Sequence, residues 1–246
     1  MRYPKDPAYA FGAIVPSVNK VFEEEFRRTM PRDVAMHFSR AQYRFDTANP
    51  LENLIDDSSK AAEDLSHCDV DLGIFACTGA SFLHGSKGNN ELTAKLSAII
   101  GAPVLTASTA VLEALKSVKA YSISLLTPYT ESGTHREIRF LEENGFTVNN
   151  YHYMNVVNAK LESRVPYKET YEKALNINDE KSDTLLISCT NLYSWFLVPR
   201  LEKIIDKTVI TSNQAIMFAS LKELKHPMIN PARYGKLFDT AGWNIP

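Results

Sequence analysis

The chain has 246 residues, 44% of them hydrophobic, 23% charged and 10% aromatic, a composition that excludes disordered, collagen-like and membrane-spanning classes. Lys plus Arg number 27 against 29 for Asp plus Glu, a net charge of -2 with no long block of one sign, so no nucleic acid and no membrane surface is an expected partner. At this length folding buries roughly three quarters of the unfolded surface, enough for one large domain or two lobes without metal or disulfide staples, and a small neutral or anionic ligand is the partner such a surface suits.

Short β-rich runs alternate with helical ones along almost the whole sequence. In chain order the pattern predicts strand 12–15, helix 20–29, strand 34–43, helix 51–66 opening after Asn49-Pro50, strand 70–76, helix 90–100 ending at Gly101, strand 103–106 and helix 108–118. The order then repeats: strand 121–126, helix 134–144 stopped by Gly145, strand 146–153, helix 167–175, strand 184–188, helix 194–205, strand 208–211 and helix 213–224. Such alternation implies parallel sheets flanked by helices, and the repeat of four units predicts an α/β fold of two pseudo-symmetric lobes, each a four-stranded parallel sheet. Landmarks agree with a duplication: GIFACTGAS near 77 faces LLISCTNLYS near 189, an offset of 189 minus 77, or 112, and ASTAVLEALK near 108 faces TSNQAIMFASLK near 212, an offset of 104. The expected division is an N-terminal lobe, 1–118, completed by the C-terminal segment 214–246, and a C-terminal lobe, 119–213. No Pro/Gly/Ser-rich linker separates them, so the lobes should pack together with a ligand cleft between.

In an open α/β sheet, ligands sit beyond the carboxyl ends of the strands. The residues at those places are Pro16, Ser17 and Asn19, then Cys77, Thr78 and Gly79, then Thr127, Pro128 and Tyr129, and finally Cys189, Thr190 and Asn191. Two are Cys-Thr pairs in matching positions. A thiol beside a helix N-terminus and an amide-rich turn should have a lowered pKa, and the neighbouring threonine can hold a carboxylate or a developing enolate. A single cysteine at a strand end is more often a small core residue. Two of only three cysteines at equivalent ends point instead to one sulfur on each side of a flat substrate, an arrangement for moving a proton between faces or for attacking one carbon and protonating its neighbour. Cys68, in LSHCD, reads as structural.

Other motifs are excluded. GASFLHGSK lacks the phosphate-loop spacing, no G-x-G-x-x-G follows the first strand, and the six histidines show no metal-ligand spacing. His84 lies near Cys77 in sequence, and Phe82, Tyr193 and Trp195 could form an apolar wall. The first twenty residues carry no signal-peptide pattern, and three cysteines, an odd number, suit a reducing compartment; a cytoplasmic location is expected.

Taken together, GAIVPSVN, GIFACTGASFLHG, PVLTASTAVLEAL, LLTPYT, LLISCTNL and TVITSNQA resemble the aspartate/glutamate racemase superfamily, in the branch of maleate cis-trans isomerases and arylmalonate decarboxylases. The resemblance covers nearly the whole chain. It implies two pseudo-symmetric lobes with an active site between them, chemistry without metal, nucleotide or pyridoxal cofactor, and a homo-oligomer, a dimer or tetramer. By position it makes Cys77 the nucleophile or first base and Cys189 the acid on the opposite face. Asn19, Tyr129 and Asn158 match substrate-carboxylate-binding residues, Thr78 and Thr190 become hydroxyl or amide donors, and Ser17 joins them as a substrate-binding candidate. The decarboxylase branch has a glycine in place of Cys77, so the cysteine pair favours an isomerase of a small carboxylate or dicarboxylate, with maleate to fumarate as the specific expectation and the carboxylates neutralised without an arginine. The alternatives are an amino-acid or 2-substituted-acid racemase, an arylmalonate decarboxylase-like enzyme and a non-catalytic carboxylate-binding protein.

Overall fold

All eight expected strands form in the computed structural model of the chain, which describes residues 7–226 and 234–239. The first half runs β1 (Tyr9–Pro16), α1 (Phe22–Thr29), β2 (Val34–Ala41), α2 (Pro50–Ser66), β3 (Leu72–Phe75), the single turn α3 (Thr78–Ser81), α4 (Gly85–Ile100), β4 (Val104–Thr106) and α5 (Ala107–Ser117). The second runs β5 (Ser122–Thr127), α6 (Glu131–Glu143), β6 (Thr147–Tyr153), the single turn α7 (Ala159–Glu162), α8 (Tyr167–Asn176), β7 (Thr184–Ile187), a 3-10 turn (Trp195–Leu197) leading into α9 (Val198–Ile205), β8 (Thr208–Thr211), α10 (Ser212–Glu223) and α11 (Lys236–Asp239). Among the described residues no helix is long and apolar enough to cross a membrane.

The helix starts differ from expectation for local reasons. α6 begins three residues early because Thr130 Oγ1 accepts the Gly133 N–H, which caps the first turn. The helix expected from Ser194 opens as a 3-10 turn, and its regular part starts only at Val198, with Pro199 in the first turn. Gly101 ends α4 in the left-handed conformation, φ 81°, and its N–H bonds Ser97 O.

The two sheets have the same all-parallel order, β2-β1-β3-β4 and β6-β5-β7-β8. Ile14 pairs with Phe75 and Phe75 with Thr106; at the matching places Leu126 pairs with Ile187 and Ile187 with Thr211. β3, β5 and β7 are buried along their whole length, as expected for strands covered by helices on both faces. One apolar core spans both halves: Phe22 and Phe26 of α1, Leu115 of α5, Leu186 of β7 and Phe218 of α10 belong to the same cluster. The α10 residues Ser212–Leu221 are all buried and lie along α5. Of the segment 214–246 expected to complete the first lobe, residues 227–233 and 240–246 lie outside the described residues.

Candidate active site

The carboxyl ends of the central strands meet at a cavity of about 170 Å³ whose walls come from both halves of the chain. Asn19, Tyr43, Cys77, Thr78 and Phe82 line it from the first half, and Tyr129, Arg136, Glu162, Cys189 and Thr190 from the second. Its size is below the roughly 300–1,000 Å³ usual for drug-sized ligands, so it suits a small acid. Phe82 packs edge-on to Tyr129, centroids 6.2 Å apart, and forms one apolar wall. The two duplicated Cys-Thr turns are thus brought to one site.

Both sulfurs are buried, Cys77 in the turn between β3 and α3 and Cys189 just beyond β7. Burial pushes the Cys77 thiol up to about 12, against the opposing pull of the Ala80 and Gly79 amides. Cys189 is pushed well above the ordinary thiol value by burial and then by the Glu162 charge, while the Asn191 amide and the Tyr129 hydroxyl pull it down. The expectation of lowered thiol pKa values is therefore reversed. Desolvation outweighs the amides because α3 is a single turn and contributes little dipole.

Asn19 follows β1, and its Oδ1 accepts the Val21 and Phe22 N–H groups at 2.9 and 3.0 Å, fixing the carboxamide at the mouth of α1. Its Nδ2 donates to Thr190 Oγ1 at 3.1 Å, which leaves one N–H for a ligand. The threonine hydroxyls are spent within the protein. Thr190 Oγ1 donates to Ala76 O at 2.9 Å and Thr78 Oγ1 to Ser212 Oγ at 3.2 Å, while Ser212 Oγ also accepts the Cys189 N–H at 3.0 Å. These bonds tie each Cys-Thr turn to the opposite half of the chain, so the hydroxyl-donor role expected of Thr78 and Thr190 gives way to a structural one.

Two substrate-binding candidates do not line the cavity. Ser17 is exposed and its Oγ accepts the Tyr43 N–H at 3.0 Å. Asn158 is exposed and caps α7, its Oδ1 accepting the Lys160 N–H at 3.0 Å, between Val157 and Ala159, which line the cavity. His84 bonds Glu52 at 2.9 Å, away from Cys77. Of the expected aromatic wall only Phe82 faces the cavity: Trp195 stacks on Phe238 in the core, and Tyr193 bonds Glu24.

Three lining residues, Tyr43, Arg136 and Glu162, were not foreseen as site members, and the strand-end residue Asn191 joins them. Tyr43 lies two residues beyond the end of β2, and the strand-end rule would have found it had the strand not been drawn through it. Arg136 is on the second turn of α6, the helix that follows β5, and places a cation where none was expected. Asn191 donates its N–H to Cys189 Sγ at 3.3 Å and its Nδ2 to Glu162 Oε2 at 3.3 Å. Glu162 accepts the Cys189 S–H at 3.5 Å, and burial raises its carboxyl to about 7; in sequence NAKLESR reads as an exposed charged stretch.

The profile of the arylmalonate decarboxylase family matches residues 42–238. The chain is 27% identical over 238 residues to the maleate isomerase of Pseudomonas putida KT2440, covering 91% of this chain and 94% of that one. Its fold is similar to the maleate isomerase of Pseudomonas putida S16 with maleate (TM-score 0.89, 21% identity, 95% and 98% of the two chains covered). It is similar also to a cysteine-to-serine mutant of the Nocardia farcinica maleate cis-trans isomerase with a covalently bound succinylcysteine intermediate (TM-score 0.87, 19% identity, 94% and 98% covered). With both sheets in one order, a Cys-Thr turn on each and four fifths of its length inside the family's profile, the chain belongs to the arylmalonate decarboxylase family, in the Asp/Glu racemase-like superfamily branch that holds the maleate isomerases.

Proposed function

We propose that this protein is a cofactor-independent cis-trans isomerase of a small dicarboxylate, converting maleate to fumarate. The carrying observation is the pair of cysteines entering one small cavity from opposite halves of the chain. A decarboxylase of the same family needs only the second sulfur, and Cys77 has no purpose in that chemistry.

In this reading the Cys77 thiol gives its proton to solvent as its sulfur bonds C2 of maleate. The alkene electron pair moves to C3, which takes the Cys189 proton. C2–C3 is now a single bond and rotates. The Cys189 thiolate then removes a proton from C3, the C2–S bond breaks, and the trans alkene leaves with Cys77 as thiolate, which recovers a proton. The succinylcysteine held by the Nocardia farcinica relative supports a thioether of this kind. Tyr129 and the remaining Asn19 N–H serve one carboxylate. Arg136 serves the other, in place of an all-neutral set of donors. Three unpaired thiols fit a reducing cytoplasm, and the family resemblance favours a homo-oligomer.

Proton NMR with maleate in deuterated buffer tests the reading: fumarate should appear. Unchanged maleate would overturn it, and deuterium entering the α-position of added aspartate or glutamate would point to a racemase, carbon dioxide from an arylmalonate to a decarboxylase. Arg136→Met should raise the KM for maleate about tenfold or more with kcat nearly kept, because a charge-assisted hydrogen bond contributes about 1.5–3 kcal/mol. Steady-state kinetics at several ionic strengths checks this, and an unaltered KM would remove Arg136 from the binding set.

A further inference from the structure

The duplication gives each half a strand, a cysteine and a threonine, yet the two sulfurs have different neighbours. Cys77 faces backbone amides of Gly79 and Ala80. Cys189 faces a carboxylate: its S–H donates to Glu162 Oε2 at 3.5 Å, and the same oxygen accepts Asn191 Nδ2 at 3.3 Å. Asn191 Nδ2 also donates to Ala159 O at 2.8 Å, which fastens the turn carrying Glu162 over β7. Glu162 is 9% exposed and lines the cavity. The other titratable groups facing that cavity are Cys77, Tyr43, Tyr129 and Arg136. Glu162 is the last residue of α7, four residues beyond the capping Asn158.

We infer that Glu162 is a positioning residue that breaks the symmetry of the thiol pair, orienting the Cys189 S–H and making that sulfur the stronger base, so that Cys189 moves the C3 proton while Cys77 forms the carbon–sulfur bond. A carboxylate against a thiol disfavours the thiolate by like charge. A thiolate so destabilised takes a proton from carbon more readily. The Glu162 charge also raises the Cys77 thiol, but the Ala80 and Gly79 amides pull it the other way and the carboxylate's hydrogen bond goes to the Cys189 S–H, so Cys77 is the sulfur freer to leave its hydrogen and bond carbon. No atom is exchanged with Glu162 in the cycle.

The inference takes its reaction from the proposed isomerisation, but its test does not need maleate. In the full-length protein and in Glu162→Gln, the rate of alkylation by iodoacetamide would be followed at each cysteine by peptide mass spectrometry, at about pH 8.5, near the free-thiol value. Loss of the neighbouring charge should acidify Cys189 by about one unit, the low end for a like charge. The thiolate fraction then rises about tenfold and its nucleophilicity falls, so Cys189 should be alkylated about threefold faster, with Cys77 changed less. Glu162→Asp, which keeps the charge, should hold Cys189 near the wild-type rate and shows that the effect is not loosening of the turn. In maleate assays Glu162→Gln should lower kcat about tenfold or more with KM nearly unchanged. Cys189 alkylation that is unmoved or slower in Glu162→Gln, or equally fast in Glu162→Asp, would overturn the inference. A chain inert toward maleate whose Cys189 still responds would defeat the isomerase reading and leave the role of Glu162 standing.

Discussion

Cys77→Ala should lose maleate turnover by about 10⁴-fold or more, to the uncatalysed background, because the other thiol of the cavity, Cys189, is committed to the C3 proton and leaves no sulfur to bond C2. Cys189→Ser should behave differently. Cys77 remains able to add, C3 takes its proton from water in place of the missing thiol, a neutral serine hydroxyl is too weak a base to remove it again, and the thioether should accumulate. Intact-mass measurement would then show one maleic acid added per chain, on the peptide containing Cys77, with turnover lower by about 10²–10⁴-fold, the usual contribution of one acid-base group. The asymmetry between the variants is the informative result. Turnover by Cys77→Ala within tenfold of wild type, or an adduct found on Cys189, would refute the assignment of roles.

The second large effect concerns stability and pH. Glu25, Glu137 and Glu162 are buried, and desolvation raises their carboxyls from the ordinary 4.5 to about 7, about 8 and about 7. Hydrogen bonds from Asn213 Nδ2 and the Ser194 and Trp195 amides to Glu25, and from Ser188 to Glu137, oppose the rise without cancelling it. Between 4.5 and these raised values the folded chain holds protons that the unfolded chain has released. The slope of stability against pH is then negative, so stability is greatest in mild acid and falls as pH climbs from about 5 to about 8. Each such group accounts for about 3–5 kcal/mol. Urea unfolding at a series of pH values should show that decline, and Glu137→Gln, which retains an acceptor for Ser188, should flatten its upper part. A profile that is level or rises over this range would count against protonated interior carboxylates.

The sequence carried the framework because the framework is periodic. Apolar strands such as GIFA and LLIS end at a chemically distinctive residue, and helices stop where Gly101 and Gly145 follow them, so the succession of strands and helices, the duplication and the meeting of Cys77 with Cys189 all follow from local signals. What escaped was set by contacts between distant segments. Glu162 sits in a charged stretch that becomes buried only when the turn after β6 folds over β7, and Arg136 reads as one more helical surface cation. Asn158 and Ser17 show the opposite effect: polar side chains expected to serve a ligand each accept a backbone N–H, from Lys160 and Tyr43. The thiol acidity was misjudged because helix ends are visible in a sequence and depth of burial is not. Glu25 shows the same limit, since a glutamate within FEEEF gives no sign that it will be enclosed by Ser194, Trp195 and Asn213 from the other end of the chain.

The packing of α10 along α5 bears on how the chain reaches its native state. Their nearest ends are separated by 212 minus 117, or 95, residues, and almost every α10 residue is enclosed, including Asn213 and Gln214. During synthesis the sheet of β1 to β4 can assemble from neighbouring segments, yet the apolar side of α5 stays bare until α10 has emerged from the ribosome. Closing so long a loop delays the final step, and the waiting surface is one that chaperones recognise and that associates when left uncovered. The helix that completes the core is therefore also the element that ends the chain's most aggregation-prone stage.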